Sequence, residues 1–255
     1  MADQSWLSLF AVAVGGASSF AAIEFVYKEL KDWRKQKRER SRTVDVNLEP
    51  LLRATDELAG KIRSLAERDF LPIRGRENYS LIDTDVASIV YLFVQFWAEV
   101  EILRIRSLSA DIVSSEKGKQ TQAFLNCLQS RRLRLIDRIS QRALGETALL
   151  NGKTMNFVEF IRSTQSDPLV DRWQGPLFGV LANLDQPEVR QRLLQFYVVL
   201  HSMIDTLDPK HLVTRDRPSI PNKLNLDSKK SLNYRVFGVY LKFVTNHSKY
   251  IGPLN

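Results

Sequence analysis

The chain has 255 residues, of which 44% are hydrophobic and 26% are charged, and its formal net charge is +8. This length and composition are typical of one folded domain and exclude a disordered chain. The single cysteine, Cys127, excludes an intramolecular disulfide, which agrees with a reducing compartment.

The first predicted element is a membrane span. Residues 6–23 contain no charged side chain, and the apolar run extends to Tyr27 with Glu24 as its one interruption. About 20 apolar residues in a helix cross the hydrocarbon core of a bilayer, and aromatic side chains favour its two interfaces. We therefore expect a single transmembrane helix between Trp6 and Tyr27, in which Glu24 is placed to pair with Lys28 one turn later.

Basic residues directly after this run predict its orientation. Residues 28–42 contain eight Lys and Arg and three acidic residues. Since the cytoplasmic flanks of membrane spans are enriched in Lys and Arg, we expect the N-terminus outside and the main domain in the cytoplasm. Eight residues are expected at the membrane interface: Trp6, Tyr27, Lys28, Lys31, Arg34, Lys35, Lys37 and Arg38.

Small residues on one face of the predicted span favour close packing of two helices. Ala11, Gly15 and Ser19 recur every four residues, which is a spacing that lets membrane helices approach each other closely. This face indicates a homodimer. Small residues are also common in spans that do not associate, so both alternatives stay open.

The remaining charge is unevenly distributed. Residues 43–208 contain 20 basic and 22 acidic residues, whereas residues 209–255 contain nine basic and two acidic residues. A nucleic-acid-binding domain is expected to carry its basic patch on the fold itself, so nucleic acid is not an expected partner. Basic segments on both sides of a nearly neutral body favour attraction to anionic lipid headgroups.

The main domain is predicted to be helical. Asn47 is a suitable N-cap, and apolar residues recur at spacings of three and four from Leu48 to Phe70, which indicates an amphipathic helix. The segment that begins at Val86 is the most apolar of this domain, but its 13 residues up to Ala98 are too few to cross a bilayer. We therefore predict that it is a buried central helix and not a second span.

The later elements are predicted from caps, breakers and periodicity. Helices are expected at four places: residues 120–129, 140–150, 168–177 with a kink or break at Gly175–Pro176, and 187–207. A short strand is an alternative at Leu133–Ile136, and Tyr234–Val244 fits either a strand or a short helix.

A run of five arginines is a candidate anion site. Its members are Arg131, Arg132, Arg134, Arg138 and Arg142. The planar, forked guanidinium group suits phosphate and other oxyanions. The other interpretation, which the sequence favours, is an exposed arginine-rich face paired with Asp137 and Glu146.

These patterns predict an all-α chain, in which an N-terminal single transmembrane helix is followed by a cytoplasmic helical bundle, with a possible minor β element in the C-terminal tail. The predicted divisions are a tail and anchor at residues 1–27, a basic juxtamembrane segment at 28–47, the bundle at 48–209 and a basic extension at 210–255.

Three segments resemble a family of uncharacterised bacterial proteins. They are YLFVQFWAEVEILR at residues 91–104, QRALGE at 141–146 and IDTLDP at 204–209. The family pairs an N-terminal membrane span with a helical cytoplasmic domain, and the chain departs from its pattern at Glu99, where the family has tryptophan. The resemblance implies a bacterial inner (plasma) membrane protein with one span, and it implies no activity.

The polar residues indicate no catalytic, cofactor-binding or metal residue. His201 and Asp205 have the i,i+4 spacing of metal ligands but lack a third ligand at a matching interval. Cys127 lies on an apolar helical face, which favours a buried thiol. A structural polar cluster is expected from four residues near the central helix, with Glu101 and Arg142 as a cross-helix ion pair: Glu101, Arg104, Arg142 and Glu146.

Two functions from different classes follow. The favoured one is a membrane-anchored interaction or scaffold module that docks an unknown cytoplasmic protein. The alternative is a membrane-associated enzyme that acts on a lipid or a nucleotide through Glu99 and the four residues of the polar cluster. A pocket that converges on these residues would favour the enzyme, whereas pairing of their charges with each other would favour the module.

Overall fold

A computed structural model describes residues 46–75, 83–106 and 115–254, together with Lys28, Lys31 and Leu81. The chain divides into two compact units, Met1–Asp45 and Val46–Asn255. In the first unit Lys28 and Lys31 are helical and exposed. The other predictions for that unit lie outside the described residues: the span at residues 6–27, the interface residues Trp6, Tyr27, Arg34, Lys35, Lys37 and Arg38, and the pairing face Ala11, Gly15 and Ser19.

The second unit is built almost entirely of helices, as the sequence predicts. Its main helices are α1 (residues 46–67), α2 (Thr84–Arg106), α3 (Glu116–Leu128), α4 (Arg138–Glu146), α5 (Phe157–Ser166), α6 (Pro168–Ala182) and α7 (Pro187–Leu207). The C-terminal part contains a 3₁₀ turn (Pro221–Lys223), α8 (Leu226–Ser231), a π-helical turn (Leu232–Phe237) and α9 (Ser248–Ile251). Two short antiparallel strands, β1 (Leu149–Leu150) and β2 (Lys153–Thr154), flank a turn.

Side chains at N-cap positions mark where several of these helices begin. Asp137 accepts hydrogen bonds from the backbone amides of Ile139 and Ser140 at the start of α4. Asn156 and Glu159 form a capping box at the start of α5. Such side chains satisfy amide groups that have no partner within the helix. Pro176 does not interrupt α6, which continues to Ala182, so of the two alternatives predicted at Gly175–Pro176 the break is wrong and the kink stays a prediction.

Helix α2 is the central buried element of this unit. By length and composition it could cross a membrane, but 72% of its most apolar stretch is buried inside the domain. Phe93 and Phe96 are almost fully buried, and their rings lie 5.8 and 6.4 Å from that of Phe196 on α7. The prediction of a core helix is confirmed: its apolar circumference is covered by protein.

A glycine allows α2 and α4 to lie close together. A Cβ atom at Gly145 would stand 2.5 Å from the carbonyl oxygen of Trp97, a distance that real Cβ atoms do not show. Gly145 therefore brings the backbones of the two helices into contact, and it also places Arg142 beside Glu101.

The C-terminal residues are part of the same compact unit as the bundle. The side-chain amide of Gln191 donates to the carbonyl of Lys223, and that of Gln195 donates to the hydroxyl of Ser228. Arg217 pairs with Asp56 on α1. These contacts join residues 209–254 to α1 and α7 within the unit Val46–Asn255.

The β structure lies elsewhere than expected. Leu133–Ile136 forms turns and bends, so the strand proposed there is wrong. Tyr234–Val244 begins within the π-helical turn and continues in turns, and the described part of the tail contains no strand. Asn151 and Gly152 both have positive φ, at 53° and 73°, which suits the tight turn between β1 and β2.

Candidate functional site

The structure brings together the four residues of the predicted polar cluster. Glu101 and Arg104 lie in the last turns of α2, and Arg142 and Glu146 lie one turn apart on α4. The Nη2 atom of Arg104 lies 2.6 Å from Oε2 of Glu101, and Nε of Arg142 lies 2.7 Å from Oε1 of Glu146. Longer contacts of 3.9 Å from Arg142 to Glu101 and 4.0 Å from Arg104 to Glu146 close the cluster.

Glu101 is the buried member of this cluster. Its side chain is 6% exposed, whereas the side chains of Arg104, Arg142 and Glu146 are about half exposed. Burial raises the pKa of Glu101, and the nearby charges of Arg104 and Arg142 oppose that shift without cancelling it. The main partner of Glu101 is Arg104 on its own helix, since Arg142 turns toward Glu146. The cross-helix contact to Arg142 is therefore the secondary one.

The four charged residues of the cluster pair with one another. It contains two carboxylates and two guanidinium groups, so its formal charge is balanced. None of the four residues lines either of the two clefts described below. Glu99, the other residue of the enzyme hypothesis, accepts a hydrogen bond of 2.5 Å from the hydroxyl of Thr154. The contacts of Glu99 with Thr154 and of α2 with α4 join separate elements, which is what a structural role predicts.

Three arginines of the run, Arg131, Arg132 and Arg138, line a cleft of about 720 Å³, which we call the arginine cleft. The residues that line it are Asn126, Ser130, Arg131, Arg132, Arg138, Ser231, Arg235 and Tyr240. Asp137, which the sequence assigned as a partner of this run, instead accepts from Ile139 and Ser140 at the start of α4. Of the ion pairs predicted between the arginine run and Asp137 or Glu146, the described residues show that of Arg142 with Glu146.

A second cleft, of about 310 Å³, lies where α7 meets the C-terminal turns. Its acidic residue is Asp205, whose Oδ2 atom accepts from Nζ of Lys249 at 2.6 Å and from the hydroxyl of Tyr250 at 2.8 Å. The Nε2 atoms of His201 and His211 both lie 3.7 Å from Oδ1 of the same carboxylate. Burial lowers the pKa of His201, so this ring is neutral at neutral pH.

Neither metal nor thiol chemistry finds support in this part of the chain. Among the described residues, no group of three or more His, Cys, Asp or Glu has the arrangement of a metal site. Lys249 takes up one oxygen of Asp205, which disfavours a cation there. Cys127 is fully buried, and burial raises the pKa of its thiol to about 12, so it is protonated at neutral pH.

Comparison with other proteins adds no function. No protein family, characterised protein or solved structure matches this chain. The resemblance of residues 91–104, 141–146 and 204–209 to a bacterial family stays a prediction.

Sequence reasoning missed the residues that the C-terminal part contributes. Arg235 and Tyr240 complete the arginine cleft, and Lys249 and Tyr250 complete the second cleft. The basic composition of residues 209–255 was the available signal. It was interpreted as a membrane-facing extension because nothing local in the sequence shows which helices this segment packs against.

Proposed function

We propose that the chain is a membrane-anchored helical module that docks a cytoplasmic protein and has no catalytic role of its own. In this proposal the protein spans the inner (plasma) membrane of a bacterium once, between Trp6 and Tyr27, with the N-terminus outside. Trp6, Tyr27, Lys28, Lys31, Arg34, Lys35, Lys37 and Arg38 lie at the interface. Homodimerisation through Ala11, Gly15 and Ser19 belongs to the same proposal.

One observation carries the choice of a docking module over an enzyme. Four of the residues through which the alternative enzyme would act, Glu101, Arg104, Arg142 and Glu146, form ion pairs with one another at 2.6 to 4.0 Å. An active site of the alternative type needs a concave pocket onto which such groups converge. This arrangement favours a structural role and disfavours the enzyme acting on a lipid or a nucleotide.

The anchoring part of the proposal is supported by sequence chemistry. The apolar run matches the length of a bilayer-crossing helix, and the eight Lys and Arg of residues 28–42 match a cytoplasmic flank. Such a flank is attracted to anionic lipids by ~1 kcal/mol per basic residue close to the surface.

Site-specific photocross-linking of the full chain in native membranes tests the docking role. A photoactivatable residue replaces, one at a time, the exposed Ile139 on α4, Leu169 on α6 and Leu226 on α8. If the chain is a docking module, one of the three labelled positions gives a discrete protein adduct and the other two do not. The same adducts from all three positions, or none from any, would contradict the proposal. The buried Leu193 is the negative control.

A further inference from the structure

Four arginines from three separate segments meet in the arginine cleft. Arg131 and Arg132 lie in the turn after α3, and Arg138 is the first residue of α4. Arg235 comes from the π-helical turn, about a hundred residues later in the chain. We propose that this cleft binds a phosphate group through these guanidinium groups, a role that is independent of the docking module.

The first argument is charge. The lining of the cleft contains four arginines and no acidic residue. Within the described part of the chain, Arg131, Arg132 and Arg235 have no carboxylate within ion-pair distance, whereas Arg53, Arg63 and other arginines do. Like charges gathered in one concavity repel each other, so an anion that enters the cleft is bound favourably.

The second argument is an unsatisfied hydroxyl. Ser130 lines the cleft with 5% of its surface exposed, and its Oγ atom is buried without a hydrogen-bond partner among the described residues. A buried polar group without a partner is costly, and nearly all such groups in native proteins find one. A rotation of the Ser130 side chain toward the cleft would let a ligand oxygen accept the hydrogen bond of this hydroxyl.

The third argument is that the guanidinium group of Arg138 and the backbone of the turn that carries Arg131 are each held by a hydrogen bond. The Nε atom of Arg138 donates to the carbonyl of Gln129 at 3.1 Å, which fixes this side chain across the C-terminal end of α3. Arg192 donates to the carbonyl of Arg131 at 3.3 Å and so supports the turn that carries Arg131 and Arg132. Fixed guanidinium forks bind the oxygens of phosphate in pairs, which makes such bonds stronger and more specific than those of flexible lysines.

The size of the cleft suggests a phosphate with an organic group attached. Ligand sites commonly enclose ~300–1,000 Å³. The cleft measures about 720 Å³, which exceeds the needs of a bare phosphate ion. Tyr240, which is partly buried, supplies an aromatic surface for the remainder of the ligand. The shared chemistry is a phosphomonoester, either on a soluble metabolite or in phosphatidic acid, the phospholipid whose headgroup is a bare phosphate.

Isothermal titration of the full chain in neutral detergent at low ionic strength tests this inference. The soluble probes are inorganic phosphate and pyrophosphate. The lipid probes are dihexanoyl phosphatidic acid and, as the uncharged counterpart, dihexanoyl phosphatidylcholine. The cleft variant combines Arg132→Gln with Arg235→Gln, and Ser130→Ala is a second variant that leaves the charge unchanged. The matched control combines Arg162→Gln with Arg215→Gln, two exposed arginines outside the cleft.

We expect saturable binding of at least one phosphate probe, weakened about tenfold or more in the double cleft variant and unchanged in the control. Binding of pyrophosphate alone identifies a soluble ligand, and binding of phosphatidic acid alone identifies a lipid headgroup. Ser130→Ala should weaken the same probe by a smaller factor. Absence of binding by every probe, or equal losses in the cleft and control variants, would overturn the inference.

Discussion

Gly145 shows how much a single residue decides in this fold. Its missing side chain lets the backbone of α4 touch that of α2 at Trp97, and this contact positions the polar cluster. In the sequence, the segment QRALGE stands out only by its resemblance to a family. The physical reason for its glycine became visible only when the helix opposite was known.

Replacement of Gly145 by alanine should destabilise the domain. The added Cβ would stand 2.5 Å from a backbone oxygen, which cannot move aside as a flexible side chain can. We expect a loss of ~1–3 kcal/mol in the free energy of unfolding, the usual cost of overpacking, measured by chemical denaturation.

The control is Gly179→Ala in α6, where nothing lies within 4 Å of the added atom. Because alanine is the better helix former, this change should be neutral or stabilise by up to ~1 kcal/mol. Equal destabilisation by the two changes would show that the close approach of α2 and α4 is not what Gly145 provides.

The pair between Arg217 and Asp56 is the second decisive contact at this scale. Their side chains are 15% and 8% exposed, and Nη2 of Arg217 donates to Oδ2 of Asp56 at 3.1 Å. The guanidinium group lies over Gly60, where a Cβ would come within 2.9 Å of it. The pair joins α1 to the segment after α7, about 160 residues apart in the sequence, which is why no periodicity predicts it.

Arg217→Met should destabilise the domain by about 3 kcal/mol, because it leaves the charge of Asp56 buried without its partner. The matched control is Arg53→Met, which breaks an exposed pair with Glu49 and should cost less than ~1 kcal/mol. Chemical unfolding of both variants measures the difference. Similar small losses would mean that the pair does not hold the C-terminal part in place.

At the scale of elements, helix type and burial followed from simple patterns. The apolar run of α2 and the amphipathic repeat of α1 predicted two core helices, and the structure confirms both. Short β elements were misplaced because a strand of two residues has no detectable period. The secondary structure of Leu232–Phe237, a π-helical turn, was ambiguous for a different reason: its aromatic and β-branched residues suit a strand equally well.

Because Glu101 is buried where α2 meets α4, the stability of the domain should depend on pH through this carboxyl group. Burial raises its folded-state pKa above the ordinary value of 4.5, so the folded protein binds this proton more tightly than the unfolded chain does. The stabilisation that results is present below about pH 4.5 and is lost as the pH rises through the folded-state pKa. Glutamine keeps the shape of the neutral acid and does not titrate.

Compared with Glu101→Gln, the unchanged protein should therefore be more stable near pH 4 than near pH 7. Urea unfolding of the two proteins at both pH values provides the measurement. A stability difference that stays constant, or that grows in favour of glutamate as the pH rises, would show that the arginines outweigh burial at this carboxylate.

At the scale of the whole molecule, the periodicity of apolar residues predicted an all-α domain and the single cysteine excluded an intramolecular disulfide, but neither could predict where the basic charge gathers. Residues 43–208 are nearly neutral, yet three of their arginines meet Arg235 in one cleft. The net charge of each segment does not predict this arrangement of arginines, because the arrangement depends on which segments fold against each other. Among the basic residues of the C-terminal part, Arg217 joins the fold together through Asp56, and Arg235 lines the cleft.

The most direct test of the account is the membrane topology of the full chain in intact cells. A reporter that is active only in the cytoplasm is fused after the last residue, and membranes are washed with alkaline carbonate. One span with the N-terminus outside predicts an active reporter, protection of the C-terminus from added protease, and retention in the washed membranes. Release by carbonate would contradict the anchor. A C-terminus open to protease in intact cells would contradict the orientation, and it is also the result expected if α2 crossed the membrane as a second span.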